Sequence, residues 1–525
     1  MAREDYTDSD HHEDVKTLHG MGYAQELSRS MSRFSNFAIS FSIICILSGG
    51  INSFAQAIGS IGGAGAGIGW IFGCMVSGVF ALAMAQIASA FPTAGGLYHW
   101  GSILGNRFTG WLTAWLNLLG LVTVLGAINI GTVSFLGGTF GTALGIADKT
   151  GAVSAGMTTV LVLVITVIQA LFNALGIKIT TKLTDLSGYL ILGTAALLIV
   201  LCLALAPHLD VTRLWTFTNY SGDAGGGVFP ESKSMGYLFL LCLLLPVYTI
   251  TGYDASAHTS EETMKAAIHV PKGIISSVVW SSLVGWVMVS AIMLAIPNMA
   301  DGAKQGWGVF FWTMDAIMPA SVKLILYVLI LIAQFLCGLA TVTSASRMLF
   351  AFSRDGGMPG ISKMLAKVSP TFRTPVAAIV AASLFEVIYV YAAQTVVIAG
   401  TSLYTIVVNS TLVFLFLSFS IPLTLGMLAY GGKKWPTPGP WAMSAGVYKL
   451  VSLLALLGMG LIFYIAVQPP NDYVFAITVG FLVIAIAIWV LFENRRFKGP
   501  PIGEEAIARR KAAIAAAEAA VGEAN

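Results

Sequence analysis

Two stretches of this chain set glycine and polar residues into the middle of apolar sequence. They are Ser48-Gly49-Gly50-Ile51-Asn52 and, near the midpoint, Thr251-Gly252-Tyr253-Asp254 behind Pro246. What they offer is main-chain chemistry. A helix interrupted inside a bilayer frees N–H and C=O groups that lipid cannot satisfy, so the interruption needs a cavity or a ligand. N–H groups opening the second half of a broken helix attract a carboxylate, and this is the role expected of Ser48, Gly49, Gly50 and Ile51. Freed carbonyls around Tyr248, Thr249, Thr251 and Gly252 suit an ammonium group or a sodium ion. Together the two breaks would hold a zwitterion at both ends. Close helix packing is the competing use for the glycine pair, and Tyr253 either gates the cavity or packs.

Four ionisable residues follow the second break: Asp254, His258, Glu261 and Glu262. A lone carboxylate at that depth must face a polar interior. The four are candidates for gating or coupling, either as a titrating inner gate or as salt links to Arg347, Arg354 or the Lys265 region. The cysteines Cys45, Cys74, Cys202, Cys242 and Cys337 all lie in apolar sequence without metal or disulfide spacing.

The elements that position these residues follow from composition. Of 525 residues 56% are hydrophobic and 10% charged, which makes the chain an integral membrane protein. A formal charge of +3 is too balanced for a nucleic-acid partner; the expected partners are the lipid bilayer and a small molecule. Apolar runs of about twenty residues fall near 36–58, 66–90, 111–139, 157–177, 183–206, 236–256, 273–297, 322–350, 375–393, 402–429, 446–467 and 472–492. A cytoplasmic N-terminus puts Arg29, Arg33, Lys178, Lys182, Arg347, Arg354, Lys363, Lys433, Lys434, Arg495 and Arg496, among others, on the inner side. Lys149, Arg213, Lys233, Lys304 and Lys323 then fall outside. That bias, with an even number of spans, predicts both termini in the cytoplasm and a multi-pass protein of the cell membrane. Residues 1–35 read as a solvated cytoplasmic tail, 207–235 as an external loop and 493–525 as a second cytoplasmic tail with a short Ala-rich helix. The breaks lie five spans apart, so 36–206 and 236–429 form two units of opposite orientation, with 430–492 supplying the last two spans.

At this point the residues carry a resemblance. GYDASAHTSEET at 252–263 resembles the sixth-helix motif of the amino acid, polyamine and organocation transporters, and TSASRMLFAFSRDGGMP at 343–359 is similar to an eighth-helix signature of their amino acid/choline branch. FPTAGGLYHW at 91–100 and WLNLLGLVTVLGAINIG at 115–131 resemble bacterial, gamma-aminobutyrate-permease-like members. The resemblance covers essentially all twelve spans. It implies an all-α leucine-transporter fold of two inverted five-helix repeats plus two helices, alternating access, and no covalent chemistry. It also implies that Ser48 to Ile51 bind carboxylate, that Tyr248, Thr249 and Thr251 take the amine, and that Tyr253 is the aromatic gate. Asn52 and Ser53 depart from the aromatic that many relatives carry after the unwound glycines, which makes the pocket more polar.

For coupling, Ala340 followed by Thr343-Ser344 resembles the carbonyl and paired-hydroxyl pattern of a sodium site in this fold, with proton coupling the alternative; Ile191 stands where some proton-coupled relatives carry lysine. No other cofactor is expected. The reading is a secondary transporter for a small amino acid or related amine such as gamma-aminobutyrate. The alternative is a choline transporter, for which Tyr248, Tyr253, Phe54, Trp115 and Tyr404 would wall a cage. A channel lacks a filter motif, and an enzyme lacks a nucleophile and base at catalytic spacing.

Overall fold

The chain folds as a bundle of membrane-length helices. A computed structural model describes residues 6–149, 151–395, 397–398, 401–469 and 471–522, those from 397 to 410 by backbone alone. Eleven helices are long and apolar enough to cross a membrane, and Met235–Thr249 is a shorter apolar helix. Each of the twelve apolar runs coincides with one of these helices, with boundaries that differ by up to seven residues, as at Ala266–Ala295 against 273–297. We number them segments one to twelve in chain order, so that Met235–Thr249 opens segment six. Among the described residues the one strand pair is Val397–Ile398 against Thr401–Ser402, between segments nine and ten.

Side-chain caps start several spans: Ser32 accepts from the N–H of Ser35, Ser154 from Met157 and Ser234 from Tyr237. Segments two (Trp70–Ala90) and seven (Ala266–Ala295) pack together and exchange indole bonds, Trp70 Nε1 donating to the Ser282 carbonyl and Trp286 Nε1 to that of Gly67, both at 2.9 Å. Segment three (Arg107–Leu136) runs through the centre, against segments eight (Ala320–Arg354), nine (Val376–Thr395) and ten (Leu403–Ala429).

The loop expected at 207–235 carries two short 3-10 turns, Val211–Trp215 and Gly222–Gly225. The first lies on Gly63 and Gly67, where an added Cβ would run into the carbonyls of Arg213 and Leu214. Gly67→Ala is therefore expected to cost about 1–3 kcal/mol by overpacking. Melting of the detergent-solubilised protein checks it against Gly78→Ala, whose surroundings are open.

The N-terminal stretch corrects the sequence reading. The solvated stretch carries a helix at Asp8–Gly20, capped by Thr7 and with Leu18 its one buried residue, and beyond it Tyr23, Leu27 and Met31 are buried beneath the bundle. The N–H groups of Ser30 and Met31 both donate to the carbonyl of Glu262. The segment folds because it meets acceptors that the far part of segment six leaves open. It also meets the C-terminal helix Glu504–Ala520, through His19 and Glu518 at 2.7 Å, so both termini lie on one face.

Candidate functional site

Segment one is broken, but not where its glycines stand. Helix Arg33–Ile44 stops at Cys45, whose φ of +29° leaves the helical region, and resumes as Ile46–Asn52. Ser48 and Gly49 direct their N–H groups back to the Cys45 carbonyl at 2.7 and 3.1 Å. The expected opening at Ser48-Gly49-Gly50-Ile51 is thus helical, and the unwound residue precedes it by one turn. The glycines serve close approach instead: a Cβ on Gly49 would lie 2.9 Å from Thr249 Cα, and one on Gly50 would lie 3.0 Å from Met288 Cε.

Segment six breaks at Ile250 to Asp254, as expected. Helix Leu244–Thr249 ends there and Ala255–His258 begins beyond. Gly252 has φ +85°, and a Cβ on it would overlap Ile43 of segment one, so glycine is required twice over. Within the break the N–H groups of Thr251, Gly252, Tyr253 and Asp254 and the carbonyls of Ile250 and Thr251 have no hydrogen-bond partner among the described residues. The Tyr248 carbonyl accepts from the Thr251 hydroxyl at 2.9 Å. Unsatisfied main chain is thus found at the second break, which offers donors as well as acceptors.

The two breaks meet. Ser48, Gly49 and Asn52 face Tyr248, Thr249 and Thr251 across a cavity of about 40 Å³, closed by Ala127 and Ile128 of segment three and Cys337 of segment eight. A second cavity of about 480 Å³ lies above it, away from the face that carries the termini. Asn52, Ala127 and Tyr248 line both, and Ile51, Phe310 and Trp307 belong to the outer one alone. Tyr248 is the one aromatic side chain common to both.

Toward the termini the same helices are shut. Asn36 Nδ2 donates to the Ser256 carbonyl at 3.0 Å and to Thr263 Oγ1 at 2.9 Å, while Ser40 Oγ donates to the Tyr253 carbonyl at 2.9 Å. Below them Arg347 holds Glu262 in a fork at 3.0 and 2.9 Å, and Arg354 holds Glu261 at 3.0 and 2.8 Å. Arg354 also lies 3.9 Å over the ring of Tyr23. The space between the two broken helices thus has a cavity on one side and buried ion pairs on the other.

A family model described as amino acid permease matches residues 31–492. The chain belongs to the amino acid permease family. Over 92% of its length the permease is 30% identical to Amino-acid permease BAT1 of Arabidopsis thaliana, covering 95% of that protein. It is 28% identical to the Amino-acid permease BAT1 homolog of Oryza sativa subsp. japonica, over 92% of this chain and 94% of that one. Over 70% of its length it is 28% identical to the GABA-specific permease of Saccharomyces cerevisiae, covering 64% of it. These relatives are plant and fungal, and they lend nothing to the bacterial branch. The permease is a multi-pass membrane protein of a transport family, not an enzyme.

Its remaining sequence-expected residues are spread more widely. Tyr253 lines neither cavity; its ring lies 5.5 Å from that of Phe419. Asp254 is buried, its Oδ2 3.0 Å from Asn117 Nδ2 and 3.3 Å from His258 Nε2. His258 reaches the Ala94 carbonyl with its other ring nitrogen. Of the sodium candidates, Thr343 donates to Asn173 Oδ1 at 2.7 Å and Ala340 sits in an apolar cluster with Ile39 and Ile43. Ser344 leaves its buried hydroxyl without a hydrogen-bond partner. Of the cage aromatics only Tyr248 lines a cavity; Phe54 is in the core, Trp115 packs on Trp111 and Phe352, and the side chain of Tyr404 lies outside the described residues. Sequence reasoning missed Asn117, Ala127 and Cys337, which carry no local signal and come to the site through packing.

Proposed function

We propose that the permease is a secondary transporter that moves a small amino acid or related amine across the cell membrane by alternating access. The cavity where the two broken helices meet carries this reading, because Ser48 and Gly49 of the resumed helix of segment one and Tyr248, Thr249 and Thr251 at the break of segment six surround one small space. In this reading Arg33–Asn52 and Met235–His258 are equivalent first helices of two inverted five-helix repeats, 36–206 and 236–429. The carboxylate is held beside the resumed helix of segment one and the amine by the carbonyls of segment six. A substrate enters through the outer cavity, displaces Tyr248 and reaches the breaks. Both termini face the cytoplasm, so the access path is external and the Glu262–Arg347 and Glu261–Arg354 pairs are the inner door. Gamma-aminobutyrate is a fitting substrate, supported by the likeness to a permease named for it.

The test is uptake by liposomes holding purified protein, with labelled amino acids, gamma-aminobutyrate and choline as probes. Saturable uptake of an amino acid that unlabelled choline does not compete supports the reading. Conductance without saturation, or uptake of choline alone, overturns it. Tyr248→Ala is expected to raise the half-saturating substrate concentration about tenfold, the equivalent of a lost contact of about 1.4 kcal/mol. An unchanged half-saturation would remove Tyr248 from the site.

A further inference from the structure

Behind the substrate cavity lies a buried acid that the reading above does not use. Glu386 sits in the middle of segment nine (Val376–Thr395) with no exposure at all. Its partners are neutral: Thr166 Oγ1 donates to Oε2 at 2.9 Å and Asn129 Nδ2 approaches Oε1 at 3.3 Å. Gln169 completes the cluster, exchanging bonds with Asn129 at 3.0 and 3.1 Å. Room for it is made by Gly338 of segment eight, where a Cβ would lie 2.6 Å from Asn129 Oδ1 and would overlap Gln169 Nε2. One turn earlier on the same face stands Gln334, buried, with neither side-chain polar atom partnered.

Among the described residues no cation faces this carboxyl. Segment four (Ala155–Ala174) has no titratable side chain, and segment three has only Arg107, which donates to the Phe497 carbonyl at its far end. On segment eight Lys323 pairs with Asp315, Arg347 with Glu262 and Arg354 with Glu261, leaving Tyr327 and Cys337. Lys363, on the short helix that follows, is exposed. Segment nine itself adds Tyr389 and Tyr391, the latter exposed, and segment ten only Tyr404, whose side chain is outside the description. An ionised carboxylate in such surroundings is held unfavourably, and a proton is the simplest group that relieves it.

The acid is also placed to respond to the cavity. Asn129 follows Ala127 and Ile128, which line the cavity, and Gly338 follows Cys337, which lines it too. Glu386 is thus at the depth of the breaks, one helix layer behind them. Tyr389, one turn along segment nine, packs on Gly126, next to the cavity-lining Ala127, and has a buried hydroxyl without a partner among the described residues. We propose that Glu386 is the proton-carrying group of the permease, taking one proton from water on the outer side and returning it to water on the inner side in each cycle, with Asn129, and Tyr389 on Gly126, linking its state through segment three to the substrate site. This rests on the transport reading above.

The experiment compares counterflow of a labelled amino acid at equal pH with accumulation driven by an inward proton gradient, in liposomes. Glu386→Gln keeps the size and much of the hydrogen bonding. It is expected to keep counterflow within about twofold of wild type and to lose gradient-driven accumulation, the pattern a merely structural role does not produce. Glu386→Asp, which retains an acid, is expected to keep both. Accumulation by Glu386→Gln that still follows the proton gradient, or wild-type accumulation driven by sodium alone, overturns the proposal. If Glu386→Gln fails to insert, carbodiimide treatment of wild-type vesicles decides. Loss of accumulation with Glu386 as the modified residue is expected, and accumulation that survives the reagent overturns the assignment. Wild-type protein without counterflow for any amino acid would instead sink the transport reading itself.

Discussion

Arg347→Met is expected to destabilise the permease by about 3–5 kcal/mol, the cost of leaving a buried charge without its partner. Arg347 and Glu262 are both fully buried, and the guanidinium spans both carboxylate oxygens. The Glu262 carbonyl also receives the N–H groups of Ser30 and Met31, so a displaced Glu262 would loosen the N-terminal segment. The double variant Glu262→Gln with Arg347→Met removes both charges and is expected to recover most of the loss. Arg347→Lys should fall near the single variant, because an ammonium cannot reproduce the fork. Thermal melting of detergent-solubilised protein gives the comparison. A single variant that melts with wild type would show that the pair is hydrated in solution and does not seal the inner face.

Gly49→Leu is expected to abolish substrate binding and uptake while the protein still inserts. The obstacle is backbone: the new Cβ would stand 2.9 Å from Thr249 Cα and 3.0 Å from its Cγ2 and Oγ1. A side-chain tip could turn away, but Thr249 sits in the last turn before the break, and moving it moves the carbonyls beyond it. Gly49→Ala already demands about 1–3 kcal/mol of adjustment and should reduce uptake at least tenfold. Gly50→Leu presses on Met288 instead, a flexible side chain, and is expected to be milder than Gly49→Leu. Uptake and ligand-induced thermal shifts measure both. If Gly50→Leu proved the more damaging, the pocket would lie on the opposite face of segment one from the one described.

Apolar length alone gave the spans, because a bilayer fixes how many residues a helix needs. The second break was equally legible, since Pro246, Gly252 and a buried Asp254 cannot share an ordinary spanning helix. The first break was displaced by one turn for a physical reason. Two glycines weaken a helix, and so does a residue whose neighbours hold it at positive φ; Cys45 gives no sign of the latter in its side chain. Ser48 and Gly49 then look free in the sequence and are bonded in the fold. Charge misled at the N-terminus, where a polar string read as solvated. Its few apolar residues, Leu18, Tyr23, Leu27 and Met31, are spaced to cover the end of a bundle, which has no period to recognise. The aromatic residues divide differently from the expectation. Tyr253 had the motif position and lines neither cavity, whereas Tyr248, five residues earlier and on the other side of the break, lines both.

The ties between the first part of segment one and the far part of segment six bear on how the permease is made. Asn36 and Ser40 find their partners at Tyr253, Ser256, Thr259 and Thr263, more than two hundred residues downstream. A ribosome releases the first of these helices into the membrane long before the sixth exists. Until then an amide and hydroxyls that the finished protein buries lie in lipid or at its edge without those partners, where polar groups are costly. The first span is therefore a poor membrane anchor in isolation, and its final seating waits on the synthesis of the chain's middle.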